Sequence, residues 1–325
     1  MDDMEIQDLL EQTATEFNEA FAETEYPEIN LGEFLTITQE GNRETERRAY
    51  GEITGTQDLD NGLVDENTTS LETEDVNIKA KKMAYLDWGK AVVYTQLAII
   101  RANKLGLKLD TVKLDNLRAV ALRTIQKTVM AGHAKRKDVT GMINNASVDR
   151  FDLTGSTYTA LGDMTGPEAR QFMLNLVRYA FEGSGSIVMP NTIAIDSADL
   201  MYLSGLYDNA LTNGQSNINA LTAIRQSLNE YAGINVDILG IPMGFAAGKG
   251  KGNNNRAIVY LNDKATVYTD WALAPSAGQP FQRSSLSWEI PVEAQFTGAI
   301  ISQLDRYFYV DYKSGIPATP APTRG

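Results

Sequence analysis

The sequence predicts a mixed α+β protein in which several excursions leave a folded body, and three observations predict it. Apolar residues recur at three- and four-residue steps through Asp110 to His133, strand-like stretches alternate with helical ones from about residue 185 onward, and a polar stretch of about twenty residues, Thr54 to Thr73, separates two strand-like segments near the start. A chain of 325 residues exceeds the usual single-domain size, which fits about two domains or one core with large excursions.

Composition narrows the chemistry. No apolar run approaches the ~20 residues that a membrane span needs, and the acidic, mildly amphipathic start lacks the charged-then-apolar order of an export signal. A soluble, folded protein that is not exported by that route is expected. Cysteine is absent, which excludes disulfides, thiolate zinc sites, iron–sulfur clusters and cysteine nucleophiles. The net charge of -13 is unevenly spread: residues 1–75 carry 22 acidic and 3 basic side chains, whereas the remainder carries 20 acidic and 26 basic. An acidic first quarter beside a mildly basic body suits overlapping self-association, in which one copy's arm lies on its neighbour.

The elements follow in order. Ile6, Leu9, Leu10, Phe17 and Phe21 lie on roughly one side of a helix that Pro27 interrupts. ERRAYGEI reads as a strand and DVNIKAKKMAYLDWGKAV as a longer one, so the polar stretch between them is the tip of a long hairpin. Such a hairpin buries little by itself and needs a surface to lie on. A short helix is predicted around Val93 to Lys104. A long one begins near Asp110 as N-cap, carries Leu114, Leu117, Ala121, Ile125 and Val129 on one face, and stops at Gly132. PEARQFMLNLVRYAFEGSG is a helix with Pro167 in its first turn. Then IVMPNTIAID reads as a strand, SADLMYLSGLY and NALTAIRQSLNEY as helices, INVDILG, RAIVYLND and ATVYTDWAL as strands, and SWEIPVEAQFTGAIISQLDRYFYVDY as a long β-rich stretch. The Pro/Ala/Thr tail is expected to be disordered.

Catalytic signals are weak. His133, the only histidine, is flanked by Gly132, Ala134 and Lys135, and no serine sits in a GxSxG elbow, so neither a Ser-His-Asp triad nor a histidine-ligated metal is expected. GKGKGNNN lacks P-loop spacing and precedes a strand, which reads as a mobile strand-to-strand loop. DLDNGLVDE matches a calcium loop only in acidity, because Leu63 stands where that pattern needs glycine. The run AKRKD carries no interleaved aromatic residue; it solvates a helix end and complements its dipole, with phosphate-backbone proximity as the second reading. No cofactor, metal or catalytic residue is assigned.

The order of parts, with GMINN (Gly141 to Asn145) after the long helix, PNTIAIDSADLMYLSG (Pro190 to Gly205), and RYFYVDYKSGI (Arg306 to Ile316) after IPVEAQFTGAII, resembles the major capsid proteins of tailed bacteriophages, with the Hong Kong 97-like fold. The resemblance implies an N-terminal arm at 1–43, an extended-loop hairpin at 44–92 with its tip at 54–73, and a peripheral domain at 93–184 with a spine helix at 110–132. It further implies an axial α/β domain at 185–285, a C-terminal β stretch at 286–316 that completes the peripheral domain, and a tail at 317–325. Its implied function is self-assembly into hexamers and pentamers of an icosahedral head, in the host bacterial cytoplasm, around double-stranded DNA, with portal, scaffold and cement proteins as further partners. In that reading Asp58, Asp60, Asp65 and Glu66 of the loop tip meet a neighbour's basic groups, for which Lys79, Lys81, Lys82 and Arg123 are the candidates, and Lys135, Arg136 and Lys137 face DNA. The alternatives are an encapsulin-like nanocompartment shell and a cytosolic α/β enzyme.

Overall fold

The computed structural model describes residues 29–54, 77–95, 97, 109–155, 159–208, 218–233, 235–284 and 286–316. In chain order the elements are α1 (Leu31–Phe34), β1 (Thr36–Thr38), β2 (Arg47–Thr54), β3 (Asn77–Ala84), β4 (Leu86–Thr95), α2 (Leu109–Ala131), β5 (Arg150–Asp152), α3 (Gly166–Gly183), β6 (Thr192–Asp196), α4 (Ser197–Gly205), β7 (Tyr207–Asp208), β8 (Ile218–Asn219), α5 (Ala220–Ala232), β9 (Asp237–Ile241), β10 (Asn255–Tyr260), β11 (Val267–Ala277), β12 (Phe281–Ser284), β13 (Ser287–Phe296), β14 (Ile300–Ile301) and β15 (Tyr307–Tyr312).

The described residues fall into two compact units. The first draws on Asp87–Thr124 and Ala274–Ala294. In it β12 pairs antiparallel with β13, and β4 pairs with β13 as well. Tyr94 and Val292 are buried, and the Lys113 ammonium lies 5.1 Å from the centroid of the Tyr94 ring.

The second unit draws on Asn30–Leu86, Ile125–Leu273 and the chain from Gln295. Its centre is a five-stranded sheet in the order β5-β15-β10-β6-β9. β10 runs antiparallel to both β15 and β6, while β9 is parallel to β6 and β5 to β15. Every residue of β6 (TIAID) and β15 (YFYVDY) is buried, the mark of strands covered on both faces. Alternation divides β15 in two. Phe308, Val310 and Tyr312 point into a core with Phe172, Met173, Leu176 and Val177 of α3 and Ile224 and Leu228 of α5, where each buried side chain of this size contributes about 1.5–3 kcal/mol. Tyr307, Tyr309 and Asp311 point to the other face.

Local chemistry starts and stops the helices. The Glu168 carboxylate accepts from the Thr165 amide at 2.8 Å and from its hydroxyl at 2.7 Å, which closes a capping box ahead of Pro167 in α3. Asp196 caps α4 by accepting from the Ala198 amide at 3.0 Å, and Asn219 caps α5 by accepting from Leu221 at 2.9 Å. Gly233 ends α5 with φ 64°.

Several sequence expectations are corrected. The single strand expected over 75–92 is two, β3 and β4, broken at Tyr85, whose amide donates to Glu46 O at 3.0 Å and whose hydroxyl turns to Asp270. Strand β4 runs on to Thr95, which displaces the start of the short helix expected from Val93; nearly all of that segment lies outside the described residues. Asp110 falls inside the first turn of α2 rather than ahead of it. Residues 29–38, within the stretch expected as an arm, pack on the body: Leu31, Phe34 and Leu35 are buried, β1 pairs parallel with β11, and Tyr260 Oη donates to Phe34 O at 2.6 Å. The C-terminal β stretch is three strands, and its last, β15, joins the sheet of β6, β9 and β10 instead of continuing β13, because its residues have apolar partners on α3 and α5. The glycine loop at 248–255 is pinned rather than mobile: Gly250 N donates to Asn254 O at 2.8 Å, Lys251 N to Asp311 at 2.9 Å and Lys251 Nζ to Asp152 at 2.6 Å.

Candidate assembly interface

The long helix α2 ends in a built cap. An α-helix leaves its last four carbonyls without intrahelical partners, and here each of the four from Thr128 to Ala131 has a donor. Gly132 N reaches Thr128 O at 2.8 Å, Met142 N reaches Val129 O at 2.8 Å, Ile143 N reaches Met130 O at 3.1 Å, and Asn144 Nδ2 reaches Ala131 O at 2.7 Å. Gly132 turns the chain with φ 74°. At Gly141 a Cβ would lie 2.3 Å from Gly132 N, so only glycine lets the returning backbone come so close.

Buried polar groups hold this return loop from behind. Tyr307 Oη and Tyr309 Oη both donate to Met142 O, at 2.8 and 2.7 Å, and Arg256 Nη1 donates to Ile143 O at 2.9 Å. Arg256 makes a two-bond pair with the fully buried Asp311, at 2.7 and 3.1 Å, and its guanidinium carbon sits 4.6 Å from the Tyr309 ring centroid. Burial pushes the Tyr307 and Tyr309 hydroxyls far above their ordinary pKa, so they remain donors.

His133, Lys135, Arg136 and Lys137 lie on the outward part of the loop. His133 Nδ1 accepts from the amides of Lys135 and Arg136, at 3.3 and 3.1 Å, which is a turn-forming role and not a catalytic one. Lys135, Arg136 and Lys137 are exposed, and Arg136 pairs with Asp138 at 2.9 Å. Arg136 holds the Asp138 carboxyl below its usual range, with a smaller contribution from Arg47 at the start of β2.

The β2–β3 hairpin is a regular antiparallel ladder from Arg47 opposite Ala84 to Thr54 opposite Asn77, and among the described residues these two strands pair only with each other. At its foot Met83 and Ala84 pack with Val139 of the helix exit and Ile300, flanked by Tyr50, Leu86 and Tyr268. Beside this apolar contact lies a polar one. The fully buried Asp270 accepts from Thr38 Oγ1 at 2.9 Å, from Glu40 N at 2.9 Å and from Tyr85 Oη, with Arg48 Nη1 3.8 Å away. Glu40 pairs with both Arg48 and Lys264, which lower its pKa, Lys264 having the larger effect.

The candidate residues are distributed unevenly. Asp58, Asp60, Asp65 and Glu66 lie outside the described residues, as does the calcium-like stretch, and among the described residues no His/Cys/Asp/Glu cluster is built to hold a metal. Lys79, Lys81 and Lys82 stand on β3 opposite Glu52, Tyr50 and Ala49; Lys82 is exposed and Lys81 half-buried. Arg123 is half-buried on α2 and donates to Ala119 O at 3.2 Å. Sequence reasoning missed Asp270, Tyr85, Asn144 and the Arg256–Asp311 pair. A charged residue inside the otherwise apolar YFYVDY was the available signal for Asp311; nothing comparable marked Tyr85.

Comparison with known proteins places this geometry. No helix among the described residues is long and apolar enough to cross a membrane. In structure the chain is similar to the capsid of the Myoviridae phage XM1, at 11% identity and a TM-score of 0.68, with 92% of this chain and 98% of that one covered. It is similar to the capsid of a native GTA particle at 11% identity and a TM-score of 0.59, covering 92% and 96%. It also resembles a structure of the Mycobacterium phage Ogopogo at 12% identity and a TM-score of 0.56, covering 92% and 98%. These likenesses show the Hong Kong 97-like fold expected from the order of parts. No curated protein matches the chain by sequence. A family model described as major capsid protein matches residues 60–312, and the chain therefore belongs to the major capsid protein family, as a structural component of a virion shell and not an enzyme.

Proposed function

We propose that many copies of this chain form the hexamers and pentamers of an icosahedral phage head that encloses double-stranded DNA, assembled in the host bacterial cytoplasm. The observation that carries the reading is the β2–β3 hairpin, which pairs with no other strand among the described residues and, beyond its packed foot, needs a surface to lie on, in a chain whose family forms shells. Neighbouring copies supply that surface. Asp58, Asp60, Asp65 and Glu66 meet basic groups there, with Lys79, Lys81, Lys82 and Arg123 as partners, and the arm at 1–43, whose first 28 residues carry ten acidic and no basic side chains, overlaps an adjacent body. Exposed pairs of this kind contribute at most about 1 kcal/mol each, but a shell repeats them many times.

Lys135, Arg136 and Lys137 face the packaged DNA in this reading, where nonspecific phosphate contact suffices. Portal, scaffold and cement proteins complete the particle. The test is to purify particles and measure their nucleic-acid content: DNA-filled icosahedral particles are expected, and a shell that encloses protein cargo without nucleic acid would overturn the DNA reading.

A further inference from the structure

We propose that Asp270 and Tyr85 are the positioning residues of the β2–β3 hairpin: together they form a buried clamp that fixes the direction in which the hairpin leaves the body. The proposal rests on the reading of that hairpin as an assembly element.

A ribbon paired only with itself is oriented by whatever holds its two ends. Here both ends reach one carboxylate on β11. The chain entering the hairpin is tied through Thr38 Oγ1 and Glu40 N to Asp270 Oδ1, each at 2.9 Å, and the chain leaving it is tied through Tyr85 Oη to Asp270 Oδ2. The backbone that carries the carboxylate is itself fixed, because Asp270 N donates to Thr297 Oγ1 at 3.0 Å and Thr297 N donates to Asp270 O at 3.0 Å. A buried carboxylate that loses one of its donors is left partly unsatisfied, which makes the arrangement specific in direction and not merely adhesive.

The surroundings reinforce it. Glu40 bridges Arg48 on β2 and Lys264 in the turn before β11, so the outer shell of the clamp is ionic. Gly41 keeps the space open: a Cβ there would lie 2.3 Å from Tyr85 Oη and 2.9 Å from Asp270 Oδ2. The apolar foot, Met83 and Ala84 against Val139 and Ile300, is small and non-directional. Tyr85 stands at the junction of β3 and β4, its amide still bonded to Glu46 O at 3.0 Å and its hydroxyl on Asp270.

The experiment is hydrogen exchange read by mass spectrometry on the full chain before assembly, comparing wild type, Tyr85→Phe, Gly41→Ala and the double variant. Peptides covering 47–54 and 77–84 report the hairpin; those covering 192–196, 255–260 and 307–312 report the central sheet. Tyr85→Phe is expected to speed hairpin exchange roughly tenfold, as loss of one hydrogen bond to a charged group implies, with the central sheet unchanged. Gly41→Ala crowds the same site, its Cβ lying close to Asp270 Oδ2 and the Tyr85 ring as well as to the hydroxyl, so it should also speed hairpin exchange, and the double variant should fall short of the sum of the two single effects. Unchanged hairpin exchange, an equal rise in the central sheet, or additive effects would each overturn the clamp. Asp270→Asn, which keeps Oδ1 but presents an amide to Tyr85 and Arg48, serves as a further variant with the same expected pattern. Failure of wild-type chains to form shells would count against the assembly reading and leave the clamp result standing.

Discussion

Asn144 completes the C-terminus of α2 from thirteen residues away, donating Nδ2 to Ala131 O at 2.7 Å while its Oδ1 accepts from Gly141 N at 2.7 Å. One side chain therefore satisfies the last helix carbonyl and shapes the turn that returns to it. Asn144→Ala is expected to destabilise the fold by about 1–2 kcal/mol, the scale for two lost hydrogen bonds at a partly exposed site. Asn144→Asp replaces the donor with an anionic oxygen facing Ala131 O at the negative end of the helix dipole and should destabilise at least as much. Chemical denaturation of the unassembled subunit measures both.

Asp311 and Arg256 predict a larger loss. Removing one partner of a buried pair leaves the other charge without compensation, at a cost of about 3–5 kcal/mol. Asp311→Ala should therefore destabilise far more than Asn144→Ala, and it should also release Lys251 N from the adjoining loop. Denaturation midpoints separate the two variants; equal losses would show that the pair contributes little.

Asp152 gives a pH dependence with a definite sign. Its carboxyl is held well below the usual range of 3.8, first by Lys251 and then by the Thr154 hydroxyl and amide. A lowered folded pKa contributes stability above the unfolded value that is lost as pH falls through the folded one. The melting-temperature difference between wild type and Asp152→Asn should be present at pH 7 and shrink only below about pH 4. A difference that is constant down to strongly acidic pH would contradict the assignment.

Deletions should separate arm from core. Removing residues 1–28 is expected to leave the circular-dichroism spectrum and melting of the body near normal while abolishing closed shells. Removing 1–43 should also destabilise the body, because it takes away Leu31, Phe34, Leu35, the β1–β11 pairing and two of the donors to Asp270. Equivalent behaviour of the two truncations would contradict this division.

Much of the fold is legible in local chemistry. The start of α3 at Pro167, the stop at Gly132 and the pairing of two strand-like segments across the polar stretch all follow from cap residues and strand periodicity. What was illegible depends on partners distant in sequence. DVNIKAKKMAYLDWGKAV carries no local signal for a break, and nothing in it marks Tyr85 as the partner of Asp270, 185 residues on. Likewise SWEIPVEAQFTGAIISQLDRYFYVDY reads as one β-rich stretch, yet β15 finds its neighbours in β10 and β5. The GMINN motif marked the helix exit as a place in the chain, but its role as a cap depends on the return of Met142, Ile143 and Asn144 to the carbonyls of Val129, Met130 and Ala131.

The most direct test of the central claim is electron microscopy of the purified chain, expressed alone and with candidate scaffold proteins. Closed icosahedral particles built from many copies are predicted, with the β2–β3 hairpin of each copy lying on a neighbour. A monodisperse monomer under all conditions, or particles in which that hairpin contacts only its own chain, would contradict the account.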